Sequence, residues 1–434
     1  MGNMPDGVSE SPRKASILAV FWVLLLLSFL AAVFGLLSFA VRDVEPPDDE
    51  DLILESPAVP DRLNGYQHLI DVQPITDQWS LDARERVEEL NAGPNPDIAS
   101  AREMLRQGRE ILEAFRLCCS KPRFQVPDGQ WLSNSSLSSL AALASLQATV
   151  LLRDGEGEEA FDLAMDIIQL GDRIQRDGKD WEWMVGCSLK RGGYSRLQAL
   201  LWDCHLGADR LAAFADELSR FTHAGKVFEE CNRRKYSESI RLIDQVWGGE
   251  KHVSWITGTC NAVARFPLAS KLLLKPNRTK EKLAADCRRR IRNSGLSYME
   301  MDLAAGVDGP DKPWWANITN HVGEMVDYPL SHHWLSSLCE SRFLADGTRL
   351  LFALRAFQSS RGRFPHDLGE LVPEFINEVP ADPFDGREIR YCPEAEIIYS
   401  VGEDLIDSGG NVGARDWREP TIHFGFRTGL GPRA

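Results

Sequence analysis

From Ala15 to Val41 the chain carries 27 consecutive residues without a charged side chain. Its centre, Phe21-Trp22-Val23-Leu24-Leu25-Leu26-Leu27, is apolar at every position. A bilayer core about 30 Å thick takes roughly 20 helical residues, so this run predicts one membrane-spanning helix with some tilt. No lipobox cysteine follows it. Arg13 and Lys14 flank the near end, and Asp43, Glu45, Asp48, Asp49, Glu50 and Asp51 crowd the far end. Lys and Arg set orientation, which places residues 1–14 in the cytoplasm and everything after residue 41 beyond the membrane. The alternative is a cleaved signal with Ser38-Phe39-Ala40 as its small-x-small site. Signal apolar cores run about 7–15 residues, and the length of this one favours the retained anchor.

The rest of the chain has globular composition, with 43% apolar and 26% charged residues, and its 434 residues suggest two or three domains. A net charge of −15 argues against a nucleic-acid partner, which would need a basic face. The basic clusters Arg233-Arg234-Lys235 and Arg288-Arg289-Arg290 with Arg292 lie in helical patterns beside acids, and read as solvated helix faces. Nine cysteines (118, 119, 187, 204, 231, 260, 287, 339, 392) include no C-x-x-C pair. Odd and scattered, they exclude a disulfide scaffold and suit small core positions, with one or two bridges left open.

Residues 42–61 are acidic and carry Pro46, Pro47, Pro57 and Pro60, the composition of a solvated linker. A helical extracytoplasmic domain is expected over 62–338. Asn95-Pro96-Asp97 offers a helix start, and Ile98, Ala101, Leu105, Gly108, Ile111, Leu112, Phe115 and Cys118 follow at helical spacing. Residues 137–152 are apolar on every side and should form a central helix. The turn Asp154-Gly155-Glu156-Gly157 leads to a helix over 158–176 that Gly178 stops. Two helices on a short turn faintly resemble a tetratricopeptide pair, but no 34-residue period is sustained, so a non-repeating bundle is expected. Lys275-Pro276-Asn277-Arg278-Thr279 opens another helix, with Leu283, Cys287 and Ile291 on one face.

From 339 to 434 the character changes. Leu344, Leu350, Leu351, Leu354 and Phe357 predict an amphipathic helix, and dense prolines then forbid a long one. Asp385-Gly386 is a turn dipeptide, with short β runs at Ile389–Tyr391 and Ile397–Val401. The succession of a helix, Phe364-Pro365-x-x-Leu368, Asp382-Pro383-Phe384-x-Gly386, Arg390-Tyr391, Tyr399-Ser400-Val401-Gly402-Glu403-Asp404 and Ser408-Gly409-Gly410 resembles the C-terminal half of the major pseudopilin of type II secretion. With the 275–279 phrase it is also similar to a type of membrane-anchored bacterial protein with no assigned activity. The pseudopilin resemblance covers roughly 75 residues. It implies a small antiparallel sheet packed on the helix, and a calcium ion held by the carbonyl of Val401 and the carboxylates of Asp404 and Asp416. Leu405 stands where the family has glycine. The pilin N-terminal signature is absent, so a polymerising subunit is not expected.

The sequence contains no H-E-x-x-H, G-x-S-x-G or P-loop pattern. His332-His333 lacks a third ligand at useful spacing, and Trp314, Trp315 and Trp334 suit core packing before a glycan platform. The whole predicts a mainly α protein: a transmembrane helix at 15–41, a helical bundle, and a small α+β pseudopilin-like module. The expected role is non-enzymatic binding or assembly in the cell envelope, with the C-terminal domain periplasmic and envelope or secretion-machinery proteins as partners. An envelope hydrolase acting on glycan or peptide is the alternative.

Overall fold

A computed structural model describes residues 12–55, 57–79, 81–92, 96–127, 130, 134–203, 206–250, 274–303, 332–407, 409–410 and 420–423. Its helices begin with α1 (Pro12–Val41), α2 (Tyr66–Gln78), α3 (Leu81–Ala92), α4 (Ile98–Gln107), α5 (Arg109–Ser120) and α6 (Asn134–Arg153). They continue with α7 (Gly157–Asp177), α8 (Asp180–Asp203), α9 (Ala208–Leu218), α10 (Ala224–Trp247), α11 (Pro276–Asn293) and α12 (His332–Arg361). Three strands follow: β1 (Arg390–Cys392), β2 (Ile397–Tyr399) and β3 (Thr421–His423). The chain is mainly helical and forms two compact units.

The first unit comprises Met1–Asp49, Ser239–Ala284 and Asp308–Tyr328. Within it, the large apolar side chains of α1 from Val20 to Leu30, and Phe34, are 48–72% exposed. Just past α1, Asp43 caps α11: its carboxylate accepts from the amides of Asn277 at 2.8 Å and Arg278 at 3.2 Å. An acid there satisfies first-turn N–H groups and complements the helix dipole. Lys280 pairs with Asp244 at 2.6 Å, fastening α11 to the end of α10.

The second unit comprises Glu50–Glu238, Ala285–Val307 and Pro329–Ala434. At its centre is α6, as its all-round apolar pattern predicts. Leu137, Leu140, Leu143 and Leu146 are fully buried among α2, α3, α4, α5, α7 and α8. Each such leucine contributes about 1.5–3 kcal/mol. The single apolar run from Ile98 is broken at Gly108, where a Cβ would lie 2.5 Å from Leu143 Cδ1. The close passage of α6 divides that run into α4 and α5. The cap of α4 is Asp97, which accepts from Ala99 N at 3.0 Å and Ser100 Oγ at 2.6 Å.

Helices α7 and α8 form the tightest pair in the unit. A Cβ on Gly171 would sit 2.8 Å from the Gly186 carbonyl, so both positions exclude a side chain. That approach buries Lys190, whose Nζ meets Gln175 Oε1 at 3.2 Å and Asp172 at 3.7 Å. Burial pushes the Lys190 ammonium below its ordinary range, and Asp172 partly restores it.

Two expectations change. Residues 50–61, expected as a solvated linker, run along this unit instead. Leu52 is buried, Leu54 N donates to Ser237 Oγ at 2.9 Å, and Asp51 pairs with Arg288 at 2.5 Å. Asp51 thus finds a basic partner on α11. The helix expected to be amphipathic, α12, is surrounded: Phe343, Leu350, Leu351, Phe352, Leu354 and Phe357 are all buried. It packs on α8 and α9, and also on β2 and β3. The boundary drawn at 338/339 therefore falls inside one helix shared by body and sheet.

The sheet is antiparallel with order β1-β2-β3, in register Tyr391↔Ile398↔Ile422. β1 begins one residue later than the sequence pattern suggested, β2 ends two residues earlier, and β3 is additional. Among the described residues Cys118, Cys119, Cys187, Cys231, Cys287, Cys339 and Cys392 are free thiols, most of them buried.

Candidate functional site

The second unit contains an open cleft of about 850 Å³, floored by α10. Lys226, Glu229, Glu230, Arg233 and Arg234 recur at i, i+3, i+4, i+7 and i+8, which places all five on one helical face. The opposite face, Val227, Phe228 and Cys231, is buried with Trp183, whose ring lies 4.9 Å from that of Phe228. Burial of that apolar side turns the charged stripe into the cleft. The start of α10 is held by a tight contact, because a Cβ on Gly225 would lie 2.4 Å from the Ser294 carbonyl. Glycine is needed for the 294–295 turn to close that end of the cleft.

Arg123, Glu55, His223 and Arg342 complete the charged lining. The guanidinium of Arg123 is chelated by buried Asp177, with Nη2 to Oδ1 at 2.7 Å and Nε to Oδ2 at 2.9 Å. On α10, Arg233 pairs with Glu229 at 2.8 Å and Arg234 with Glu230 at 3.3 Å. Arg342, from α12, donates to the carbonyl of Leu296 at 2.9 Å. Behind His223 and Arg342 lies Asp346, half-buried and paired with Arg349 at 3.6 Å. Burial pushes its carboxyl up to about 6, opposed by Arg349, Arg342 and His223.

A second polar constellation underlies the C-terminal motifs. Asp382 is fully buried and accepts four hydrogen bonds: Phe384 N at 2.9 Å, Ser400 Oγ at 2.7 Å, Val401 N at 3.0 Å and Arg390 Nη1 at 2.8 Å. Burial raises its carboxyl above the ordinary carboxylate range while these donors pull it down. Arg390 also bonds Asp385 and lies 3.6 Å from Asp407. Tyr391 OH reaches the carbonyl of Pro365 at 2.8 Å. Asp382, Asp385, Arg390 and Ser400 are thus cross-braces between the 382–386 turn, β1 and the end of β2.

The candidate calcium ligands fall differently. Val401 is buried, and Asp404 is exposed, with Oδ1 accepting from Ile406 N at 3.1 Å. Asp416 lies outside the described residues. Glu403 accepts from Tyr298 OH at 2.9 Å and Ser336 Oγ at 3.3 Å; Asp407 accepts from Tyr399 OH at 3.0 Å. Among the described residues no three His, Cys, Asp or Glu side chains gather as a metal group. Leu405 takes the left-handed conformation, φ +60°, that glycine would adopt without strain. Trp334 stacks on Trp183 at 5.8 Å, a packing role. Trp314, Trp315 and the side chains of His332 and His333 lie outside the described residues.

No family model, no curated protein and no solved structure matches the chain. The cleft has to be read from its own chemistry. Arg233 and Arg234, expected on a solvated helix face, line this cleft instead. The available signal was the apolar set Val227, Phe228 and Cys231 interleaved with the charges, which marks one side of α10 as buried.

Proposed function

We propose that this is a single-pass membrane protein of the cell envelope whose extracytoplasmic body has a non-enzymatic binding or assembly role. The carrying observation is α1, a 30-residue helix whose large apolar side chains from Val20 to Leu30, and Phe34, stay 48–72% exposed. At 1.5 Å per residue that length exceeds a bilayer core, and water is a poor solvent for such a surface. Ser135–Arg153 is also long and apolar enough, but it lies within α6, whose Leu137, Leu140, Leu143 and Leu146 are fully buried. Binding is supported by the open cleft, where Glu229 and Glu230 are engaged by arginines of their own helix. The pseudopilin-like module, with its sheet braced by Asp382 and Arg390, supplies a second surface for envelope or secretion-machinery proteins, and its 401–416 loop a calcium site.

The anchor is tested by fractionation and a reporter. The protein should stay with membranes through a carbonate wash, and a reporter fused after residue 60 should behave as extracytoplasmic. A soluble protein with its mature N-terminus at Val41 would overturn the anchor. Pull-down from solubilised membranes tests the binding role, which fails if the body retains no protein or small molecule above a vector control.

A further inference from the structure

Most charges around the cleft are already spent on one another. Arg123 is held by Asp177, Arg233 by Glu229 and Arg234 by Glu230. Three formal charges in the lining have no ion-pair partner among the described residues: Lys226, Arg342 and Glu55. Lys226 and Glu55 are exposed. Arg342 is half-buried, and its one hydrogen bond goes to a neutral carbonyl. His223 is exposed in the same lining. A ligand complementary to this remainder carries two negative groups and one positive group.

We infer that the cleft binds a short acidic peptide, with Lys226 and Arg342 holding its carboxylates and Glu55 its ammonium group; this rests on the binding role proposed for the body. The size fits, since an 850 Å³ cleft lies within the range of small-ligand sites. The unpaired carboxylate of Glu55 argues against a polyanion, since it would repel a run of phosphates but attracts a peptide's ammonium group. The paired arginines hold the α10 stripe in place, so Lys226 projects from a fixed floor while Arg342 reaches in from α12 and Glu55 from the 50–61 segment. The α10 start adds partial positive charge on the Lys226 side of the cleft.

The test is calorimetric titration of the full-length protein in phosphatidylcholine nanodiscs. The probes are the dipeptide Gly-Asp, its N-acetyl derivative, and inorganic phosphate. Gly-Asp should bind with a Kd of roughly 1 mM or tighter, and more tightly than phosphate. Lys226→Gln and Arg342→Gln should each weaken Gly-Asp about tenfold or more, the usual size for a lost charge-assisted contact. Glu55→Gln should weaken Gly-Asp while leaving the N-acetyl derivative unchanged. Exposed Arg109, which pairs with Glu113 outside the cleft, supplies the control Arg109→Gln, which should change nothing. Three results would overturn the inference: no saturation by Gly-Asp, phosphate binding as tightly as the peptide, or Glu55→Gln affecting both peptides alike. A body that still captures partners in pull-down while ignoring Gly-Asp would refute this inference and leave the binding role standing.

Discussion

Replacing Asp382 by alanine should be among the most damaging single changes in the second unit. The side chain is fully buried, as is Ser400, and Phe384 and Val401 are each 1% exposed. Alanine would strand the Phe384 and Val401 amides, each a buried donor worth about 1–3 kcal/mol when left unpaired. It would also remove one carboxylate from Arg390, which keeps Asp385. Breaking one side of a buried pair costs about 3–5 kcal/mol, and the separate losses do not add fully, so that range is expected for the whole change. Asparagine keeps the shape but not the acceptors. Oδ1 serves Phe384 N and Ser400 Oγ, whereas Oδ2 serves Val401 N and Arg390. An amide group must therefore face a donor on one side or the other, and the loss should be smaller, about 1–3 kcal/mol. Urea unfolding of the detergent-solubilised chain gives both numbers. Against a typical total of about 5–15 kcal/mol, the alanine variant should unfold at clearly lower denaturant. An alanine loss under about 1 kcal/mol, or asparagine and alanine equal, would refute the idea that Asp382 is the brace of the module.

Asp346 titrates with folding in a defined direction. Burial raises its folded pKa to about 6 from 3.8, so its favourable contribution is complete below the lower value and is lost as pH rises through the upper one. Asp346→Asn should then melt like the parent near pH ~4 and be more stable above pH ~6.5 by about 1–3 kcal/mol; a variant less stable at the higher pH would contradict the assignment. Gly171→Ala forces a Cβ to within 2.8 Å of the Gly186 carbonyl and should cost about 1–3 kcal/mol. Gly192→Ala has open space and should be neutral or stabilising by about 0.5–1 kcal/mol, so equal melting temperatures for the two would undo the close-packing account. Calcium titration of the full chain should show saturable binding that Asp404→Ala removes; no heat at millimolar calcium, with melting of both forms indifferent to the ion, would eliminate the site.

What the sequence made legible and what it hid divide along one physical line. Elements whose identity depends on local spacing were readable. The all-round apolar run of 137–152 became central α6, and the Gly155 turn, with φ +88°, separates it from α7. Strands β1 and β2 follow from alternation and turn chemistry, whereas β3 carries no such local signal. Features that depend on what arrives from elsewhere were not readable. Nothing local to residues 50–61 reveals that Ser237 and Arg288 will receive them. Five apolar positions on α12 gave a one-sided pattern because the contacts that cover its remaining faces come from α8, α9 and the sheet. The cleft is the extreme case. Its lining comes from five separate stretches of chain, around Glu55, Arg123, the start of α10, Ser294 and Arg342, and within α10 an alternating acid–base stripe looks the same whether it meets bulk water or a cavity. The motif residues of the C-terminal module sit between these limits. Asp382, Arg390 and Ser400 stood out as a pattern, yet the reason for the pattern is a single buried carboxylate that must find four donors at once. Such a group is conspicuous in sequence because its partners constrain it, and its partners are visible only once the chain has folded back on itself.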